Sequence, residues 1–508
     1  MRVAIRTDAS RRIGTGHLRR CQSVADALRR EGAEAVFVCR AHDEISRVAD
    51  QGRVIWLSHE QGFTAQAGDP THAQWAACNW DRDADQTVAA LQGQAVDWVL
   101  VDHYAFDARW HERVAGALHC RVGVIDDLAD RPLAAQLVVD QNLAADHASK
   151  YAGVLQSPAL ILGGPRYAML APVYRTAPRY RFRRRVASIG IFMGGGDPND
   201  FGSRVLRACR DVAGFDGDIE LVSSSRNPNF EHHVALAQRW PRTHVLHDQA
   251  DLSGFFARHD LHVGSGGIAA WERCCLRAPT LAIQIAQNQR AVLPQLAQLG
   301  AIEWLQQADP DEADIGTAVR ELVESPHRRL ALVRATRGWV DGFGSARVAA
   351  AMSLAARPEL QLREASASDE ALLLEWANDP GVRRQGFSTK AIGASEHHAW
   401  FARRLANPAC RIFIASSRAG MPVAQVRFEK RGAHWVIGYS IDAAFRGCGL
   451  ARPLLAGTMA ALQQHDPAAR FEAWVKPDNG ASLRTFRGLG FAEVRVEREG
   501  IDCHRFEL

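Results

Sequence analysis

Two glycine-rich segments and one histidine carry the first chemistry in this sequence. Ile13-Gly14-Thr15-Gly16-His17-Leu18-Arg19-Arg20 falls between an apolar run at Val3–Ile5 and a helical pattern at Leu18–Glu31. Gly14 and Gly16 let the backbone turn tightly and approach a ligand closely. The helix start offers unpaired N–H groups to an anion. An imidazole held at that edge, His17, could take a proton from water near neutral pH. Such a turn alone is a weak signal, because a loop histidine in ordinary hydrogen bonds reads the same. A second segment, Gly264-Ser265-Gly266-Gly267, opens a helix that carries Glu272. This suits a diphosphate at the turn and a carboxylate on both ribose hydroxyls. The competing role for Glu272 is an ion pair with Arg273. Gly194-Gly195-Gly196 is either a third approach to phosphate or a plain turn.

A separate constellation lies near the C-terminus. An apolar run at His434–Ile441 leads to Arg446-Gly447-Cys448-Gly449-Leu450-Ala451, and a helix is predicted over Ala451–Gln463. Successive N–H groups at a helix start can cradle a pyrophosphate, and small residues at Gly449 and Ala451 admit it.

The elements that must hold these residues follow from periodicity. Strands are predicted at Val3–Ile5, Ala35–Cys39, Asp97–Val101, Val122–Ile125 and Leu137–Val139, alternating with helices. That alternation indicates a parallel, doubly wound sheet. Polar residues collect at its strand ends, including Asp8, Asp102, His103, Tyr104, Asp126, Asp127, Asp140 and Asn142. Ligands bind at that edge in such sheets. A second series runs from Ser188–Met193 through Leu221–Val222, Val245–Leu246 and His259–Val263 to Leu281–Ile285. Helices are predicted over Thr317–Val323 and Arg328–Trp339, with Gly342 and Gly344 closing the unit. Two Rossmann-like halves facing one cleft make a GT-B arrangement. Beyond a boundary at Ala355–Gln361 the character changes to mixed α/β with antiparallel strands at Ile412–Ala415, Val423–Glu429, His434–Ile441 and Phe471–Val475. The expected domains are 1–170, 188–354 and 362–508, with 171–187 as a solvated basic connection.

Bulk properties exclude several classes. The 508 residues are 47% apolar and 23% charged, ordinary for globular domains, and too many for one core. A net charge of +4 gives no field suited to nucleic acid or anionic membranes. The dense basic run, Arg175–Arg185, reads as a solvated connection. Ten scattered cysteines, none in a CxxC spacing, fit a reducing compartment rather than a disulfide or zinc framework. The N-terminus reads as a strand rather than a signal peptide, and no apolar stretch is long enough to span a membrane. The expected location is cytoplasmic.

The first 350 residues resemble the UDP-sugar hydrolases of pseudaminic acid biosynthesis, relatives of the MurG-type glycosyltransferases. The resemblance rests on RTDASRRIGTGHLRRC at the start, Val101-Asp102-His103-Tyr104, Ile125-Asp126-Asp127, Asp140-Gln141-Asn142, Met193-Gly194-Gly195-Gly196-Asp197, Gly264–Arg273 (GSGGIAAWER) and Gln287-Asn288-Gln289, in that order. It implies hydrolysis of UDP-2,4-diacetamido-2,4,6-trideoxy-β-L-altropyranose to UDP and free sugar. In that reading His17 is the general base. Tyr104 and Asn288 position the sugar or water. UDP is held by Gly14, Gly16, Gly194, Gly195, Ser265, Gly266, Gly267 and Gln289, and its ribose by Glu272. No DxD pair stands near these turns. Asp126-Asp127 and Asp102 could hold a metal, but none is expected, since helix dipoles can carry the diphosphate charge. A true glycosyltransferase or a related sugar substrate are the rival readings.

The C-terminal part resembles the GNAT acetyltransferases through Arg446–Ala451, Val475–Ala481 (VKPDNGA) with Asn479, Ser482, and Phe486–Phe491. This implies acetyl-CoA held by Arg446, Gly447, Gly449, Ala451 and Asn479. Many members place a tyrosine general acid four residues after that serine, where this chain has Phe486. Tyr439 and His434 are candidate replacements, and Glu429 is a candidate base. A domain that only senses CoA is the alternative. Trp376-Ala377-Asn378-Asp379, Val382-Arg383, Glu396-His397-His398 and Trp400-Phe401 look like the subgroup that acetylates amino-sugar nucleotides. The implied partners are a UDP-sugar and acetyl-CoA, with no nucleic acid and no membrane insertion.

Overall fold

Runs such as Ala35–Cys39 and Val99–Val101 are apolar at every position, the pattern of strands covered on both faces. The computed structural model describes all residues except 44–52, 59, 61, 196, 198, 226, 287, 288, 291, 308 and 499. It divides into two compact units. One is Met1–Arg29 with Ala33–Val348, and the other is Ala349–Leu508 with Arg30–Gly32.

The first unit holds two parallel sheets. The first sheet contains β1 (Arg2–Thr7), β2 (Glu34–Arg40), β3 (Val54–Leu57), β4 (Trp98–Asp102), β5 (Arg121–Ile125), β6 (Leu137–Asp140) and β7 (Leu160–Gly163). Their order is β3-β2-β1-β4-β5-β6-β7. The second contains β8 (Ser188–Phe192), β9 (Asp218–Ser223), β10 (Thr243–His247), β11 (Leu261–Ser265), β12 (Thr280–Ile283) and β13 (Glu303–Trp304), in the order β10-β9-β8-β11-β12-β13. In both sheets the chain order reverses beside the first strand, between β1 and β4 and between β8 and β11. Ligands of doubly wound sheets bind in the crevice at that point. Register sets Thr7 opposite Asp102, so the ends of β1 and β4 lie side by side there.

The helix Gly16–Arg30 covers the sheet through Leu18, Cys21, Val24, Ala25 and Leu28, all buried at helical spacing. Behind it sits a fully buried ion network. Arg6 binds Asp8 and Asp83, and Arg40 also binds Asp83. These pairs tie β1, β2 and the helix Trp80–Leu91 together with no charge left over. Removing one partner would strand the others in a dry interior.

Several sequence expectations shift. β3, β7 and β13 are runs of four residues or fewer that carry no readable period. The strand expected at His259–Val263 runs over Leu261–Ser265, so Gly264 and Ser265 end a strand rather than form the turn. Gly344 does not close the unit. It begins the helix Gly344–Ala356, and a Cβ there would lie 2.2 Å from the Ala168 carbonyl oxygen. The glycine serves close packing. The basic run is anchored in part, since the buried Tyr180 hydroxyl and the Arg183 guanidinium both reach Asp260.

The second unit carries a mixed sheet of β14 (Gln361–Glu364), β15 (Cys410–Ser416), β16 (Pro422–Arg431), β17 (His434–Ile441), β18 (Arg470–Val475), β19 (Ala492–Arg498) and β20 (Ile501–Glu507), ordered β14-β15-β16-β17-β18-β20-β19. β17 and β18 pair in parallel from His434–Arg470 to Ile437–Ala473. Past Ile437 that pairing stops while β17 continues, so the strands part beside Tyr439 and Ser440. Among the described residues no helix is long and apolar enough to cross a membrane.

Candidate active sites

His17 is the second residue of its helix and 7% exposed. Its Nδ1 lies 2.6 Å from Asp102 Oδ1 at the end of β4. A carboxylate only accepts, so Nδ1 carries the proton and Nε2 is left with its lone pair. Arg20 donates to both Asp102 oxygens at 2.6 Å. Burial by itself raises the Asp102 carboxyl, but Arg20 and His17 outweigh it and hold it well below the usual carboxylate range. The orienting group is therefore a permanent anion.

Three aromatic side chains close around the imidazole. Tyr104 meets it edge-on at 4.8 Å between ring centroids and Trp75 at 5.7 Å. His72 packs on both Trp75 and Tyr104, and its buried Nδ1 has no hydrogen-bond partner among the described residues. The Tyr104 hydroxyl donates to Asp127 at 2.5 Å. Asn142 also donates to Asp127, at 2.8 Å, and accepts from the Trp271 indole at 3.2 Å. Trp271 belongs to the helix Ile268–Leu276 of the second sheet's half, so this chain of bonds joins the two halves. Sequence reading missed His72 and Trp75. His72 precedes and Trp75 lies within a short 3₁₀ turn at Ala73–Ala76, in a stretch without periodicity.

The glycine turns converge on the same crevice. Gly14 adopts φ +80° and Gly194 φ +100°, backbone that side chains disfavour. A Cβ on Gly195 would sit 3.5 Å from Thr15 Oγ1, so the turn after β8 faces the Gly14–Gly16 turn of the other half. Gly267 caps the helix Ile268–Leu276. Ser265 is buried beneath it, and a Cβ on Gly266 would strike Leu293. The Gln289 side-chain oxygen accepts from Ile285 N at 3.0 Å and Gly266 N at 3.4 Å, bracing the turn from behind. Glu272 does not pair with Arg273. It is hydrogen-bonded by the Tyr174 hydroxyl, and burial pushes its carboxyl up. Arg273 turns inward and donates to the Ser265 carbonyl at 2.5 Å. A hollow of about 610 Å³ opens between Phe201, Arg204, Ile285 and Arg290. Gly196 and Asn288 lie outside the described residues.

Asp102 and Asp126, considered above as metal ligands, are committed to arginines, Asp126 to Arg131 at 2.7 Å. Asp197, Asp200 and His233 stand close enough to share an ion. Asp197 instead caps the helix Phe201–Arg207 through Phe201 N and Gly202 N, and His233 bridges Ser223 and Asp200.

In the second unit, Gly447 and Gly449 adopt φ +86° and +74° with open space where a Cβ would stand. The helix Ala451–Gln463 follows, leaving its first N–H groups beside an unobstructed backbone. The Arg446 guanidinium is bound to Asp379 and the Ile441 carbonyl, so it braces the turn. Asn479 caps the helix Gly480–Gly488 by accepting from Ser482 N at 3.2 Å. Phe486 is buried against Phe491, Phe506 and Tyr439. A cavity of about 390 Å³ lies against β15, β16 and β17, lined by His397, Trp400, Gln425, Arg427, Tyr439 and Ser440 among others. Glu429 and His434 are not among its lining residues.

Residues 359–492 match the acetyltransferase (GNAT) domain family. The spore coat polysaccharide biosynthesis protein SpsG of Bacillus subtilis (strain 168) is 24% identical over 264 residues, covering 51% of this chain and 77% of that protein. Among solved structures, spermidine N-acetyltransferase from Vibrio cholerae in complex with CoA and spermine is 15% identical, covers 30% of this chain and 96% of its own, and has a TM-score of 0.28. Aminoglycoside acetyltransferase AAC(6')-Ib in complex with coenzyme A is 17% identical, covers 30% and 94%, and has a TM-score of 0.27. The chain thus joins an N-terminal half homologous to SpsG to a C-terminal GNAT acetyltransferase domain.

Proposed function

We propose that the N-terminal half hydrolyses UDP-2,4-diacetamido-2,4,6-trideoxy-β-L-altropyranose, and that the GNAT domain acetylates the 4-amino group of the UDP-sugar preceding it. The observation that carries the hydrolase reading is the His17–Asp102 pair at the β1–β4 crevice. With Nδ1 committed to Asp102, Nε2 takes a proton from water as the oxygen attacks the anomeric carbon. The bond from that carbon to the diphosphate oxygen breaks, and UDP leaves with the electron pair. Tyr104, fixed by Asp127, and Asn288 position the sugar and water. The turns at Gly14–Gly16, Gly194–Gly195 and Ser265–Gly267 hold the diphosphate with backbone N–H groups. Gln289 keeps the last turn in shape. Similarity to a polysaccharide biosynthesis protein supports a sugar-nucleotide substrate.

Acetyl-CoA is the co-substrate of the second unit. The turn Gly447–Ala451 holds its pyrophosphate, with Arg446 and Asn479 shaping the approach. One activity then makes what the other consumes. The test is a mass-spectrometric assay on the intact chain with the UDP-4-amino sugar. UDP and diacetamido sugar are expected only when acetyl-CoA is added. Hydrolysis of the preacetylated substrate with no effect of acetyl-CoA would leave only the hydrolase standing.

Glu272 carries the ribose contact in this reading. Glu272→Ala is expected to weaken UDP binding by about tenfold, the scale of one charge-assisted hydrogen bond. Titration calorimetry with UDP measures it, and unchanged affinity would remove the ribose assignment.

A further inference from the structure

His397 is 2% exposed, and neither ring nitrogen has a hydrogen-bond partner among the described residues. It lies on the helix Ala394–Leu405, one turn before Phe401, with the two rings stacked at 5.8 Å. Trp400 tilts against it at 5.4 Å. A buried imidazole without a partner costs stability relative to a satisfied one. Phenylalanine would fill the same space without that cost. Yet the ring lines the 390 Å³ cavity bordered by β15, β16 and β17. The partner it lacks is one the cavity's occupant can supply.

Tyr439 lines the same cavity. Its hydroxyl is 2.8 Å from Ser482 Oγ, in the first turn of the helix Gly480–Gly488. Phe486 on that helix has no hydroxyl to offer, and its ring centroid is 6.1 Å from that of Tyr439. The hydroxyl missing at position 486 is thus replaced by one arriving from the neighbouring strand. The other base considered, Glu429, is held between Arg404, Arg427 and Arg431 at 3.1–3.4 Å.

We propose that His397 is the general base and Tyr439 the general acid of acetyl transfer in this domain. The proposal rests on the reading that the domain acetylates an amine. His397 takes one proton from the substrate ammonium. The freed lone pair attacks the thioester carbonyl, the C–S bond breaks, and the thiolate takes the Tyr439 proton. The nitrogen, still carrying one proton too many, returns it to Tyr439, directly or through Ser482. Imidazolium gives its proton to solvent. The balance is ammonium and acetyl-CoA in, amide, CoA thiol and one proton out. Burial lowers the His397 pKa against the pull of Glu370, keeping the ring neutral at pH 7. Burial likewise raises Tyr439, keeping it protonated. The other charged groups around the cavity are Arg383, Glu396, Arg403 and Arg427.

The test follows CoA thiol release by the intact chain with acetyl-CoA and the UDP-4-amino sugar, between pH 5.5 and 9.5. His397→Phe preserves the packing and His397→Gln the polarity, so one folded variant suffices. Either should lose about 10²–10⁴-fold at pH 7 while CoA affinity stays within threefold, and its rate should climb with hydroxide where the parent is flat. Tyr439→Phe should lose a comparable factor across the whole range while CoA affinity again stays within threefold. A His397 variant within threefold of the parent, or one slowed with an unmoved pH profile, overturns the proposal. A parent chain that binds both ligands but releases no thiol overturns the acetyl-transfer reading, and this one with it.

Discussion

His17→Ala is expected to lower the rate of UDP release by about 10²–10⁴-fold, the range that a positioned proton-transfer group contributes. UDP affinity should stay within threefold, because in the proposed reading the diphosphate and ribose contacts come from the turns and from Glu272. Asp102→Asn separates orientation from structure. An amide can donate to Nδ1, which would move the imidazole proton to Nε2 and remove the base. That variant should lose nearly as much turnover as His17→Ala. It also leaves Arg20 facing a neutral partner in a buried site, so its melting temperature should fall as well. Single-turnover quench experiments beside UDP titrations measure both effects. Parallel loss of binding and turnover in His17→Ala would make His17 a structural residue.

Acid should destabilise the first unit from the imidazole range downward. His103, His111 and His262 are at most 1% exposed. Burial lowers the pKa of each, that of His111 to about 3, with Arg131 adding to the effect. His111 Nδ1 accepts from Ala134 N at 3.4 Å, which a protonated ring could not do. A group whose folded pKa lies below its unfolded value of about 6.5 contributes in full above that value and loses the contribution as pH falls. Each such ring gives a slope of about 1.4 kcal/mol per pH unit. His111 approaches that slope about a unit below 6.5 and keeps it down to about pH 3, and His103 and His262 add to it in the same direction. Asp8 and Asp102, held low by Arg6 and Arg20 against the cost of burial, add their loss below about pH 4. Urea midpoints taken from pH 8 to pH 5 check this, and a flat profile would mean that these rings are charged when folded.

Much of both sites was legible because glycine is demanded there. Gly14, Gly194, Gly447 and Gly449 occupy positive φ, and the sequence betrays each by a residue other types avoid. The identity of the partners was not legible in the same way. His17 and Asp102 are 85 residues apart and meet only through the parallel register of β1 and β4. The helix Gly344–Ala356 was hidden by glycines that look like a stop and serve a tight crossing over Ala168. β19 went unread because nearly every side chain on it is exposed, which erases the alternation that marks a strand. The cavity in the second unit is lined by three strands and by helices that precede them in the chain, and no local pattern encodes their meeting. Tyr439 and His397 acquire meaning only there.

The bond from Trp271 to Asn142 has a consequence for timing. At 3.2 Å it survives only a few tenths of an ångström of separation. It is therefore made at one mutual angle of the two Rossmann halves and broken at others. Trp271 adjoins Glu272, and Asn142 shares Asp127 with Tyr104. A turn of one half against the other would thereby reach the phenol as well as the indole. The indole is also its own reporter, since its fluorescence changes when that N–H gains or loses the amide.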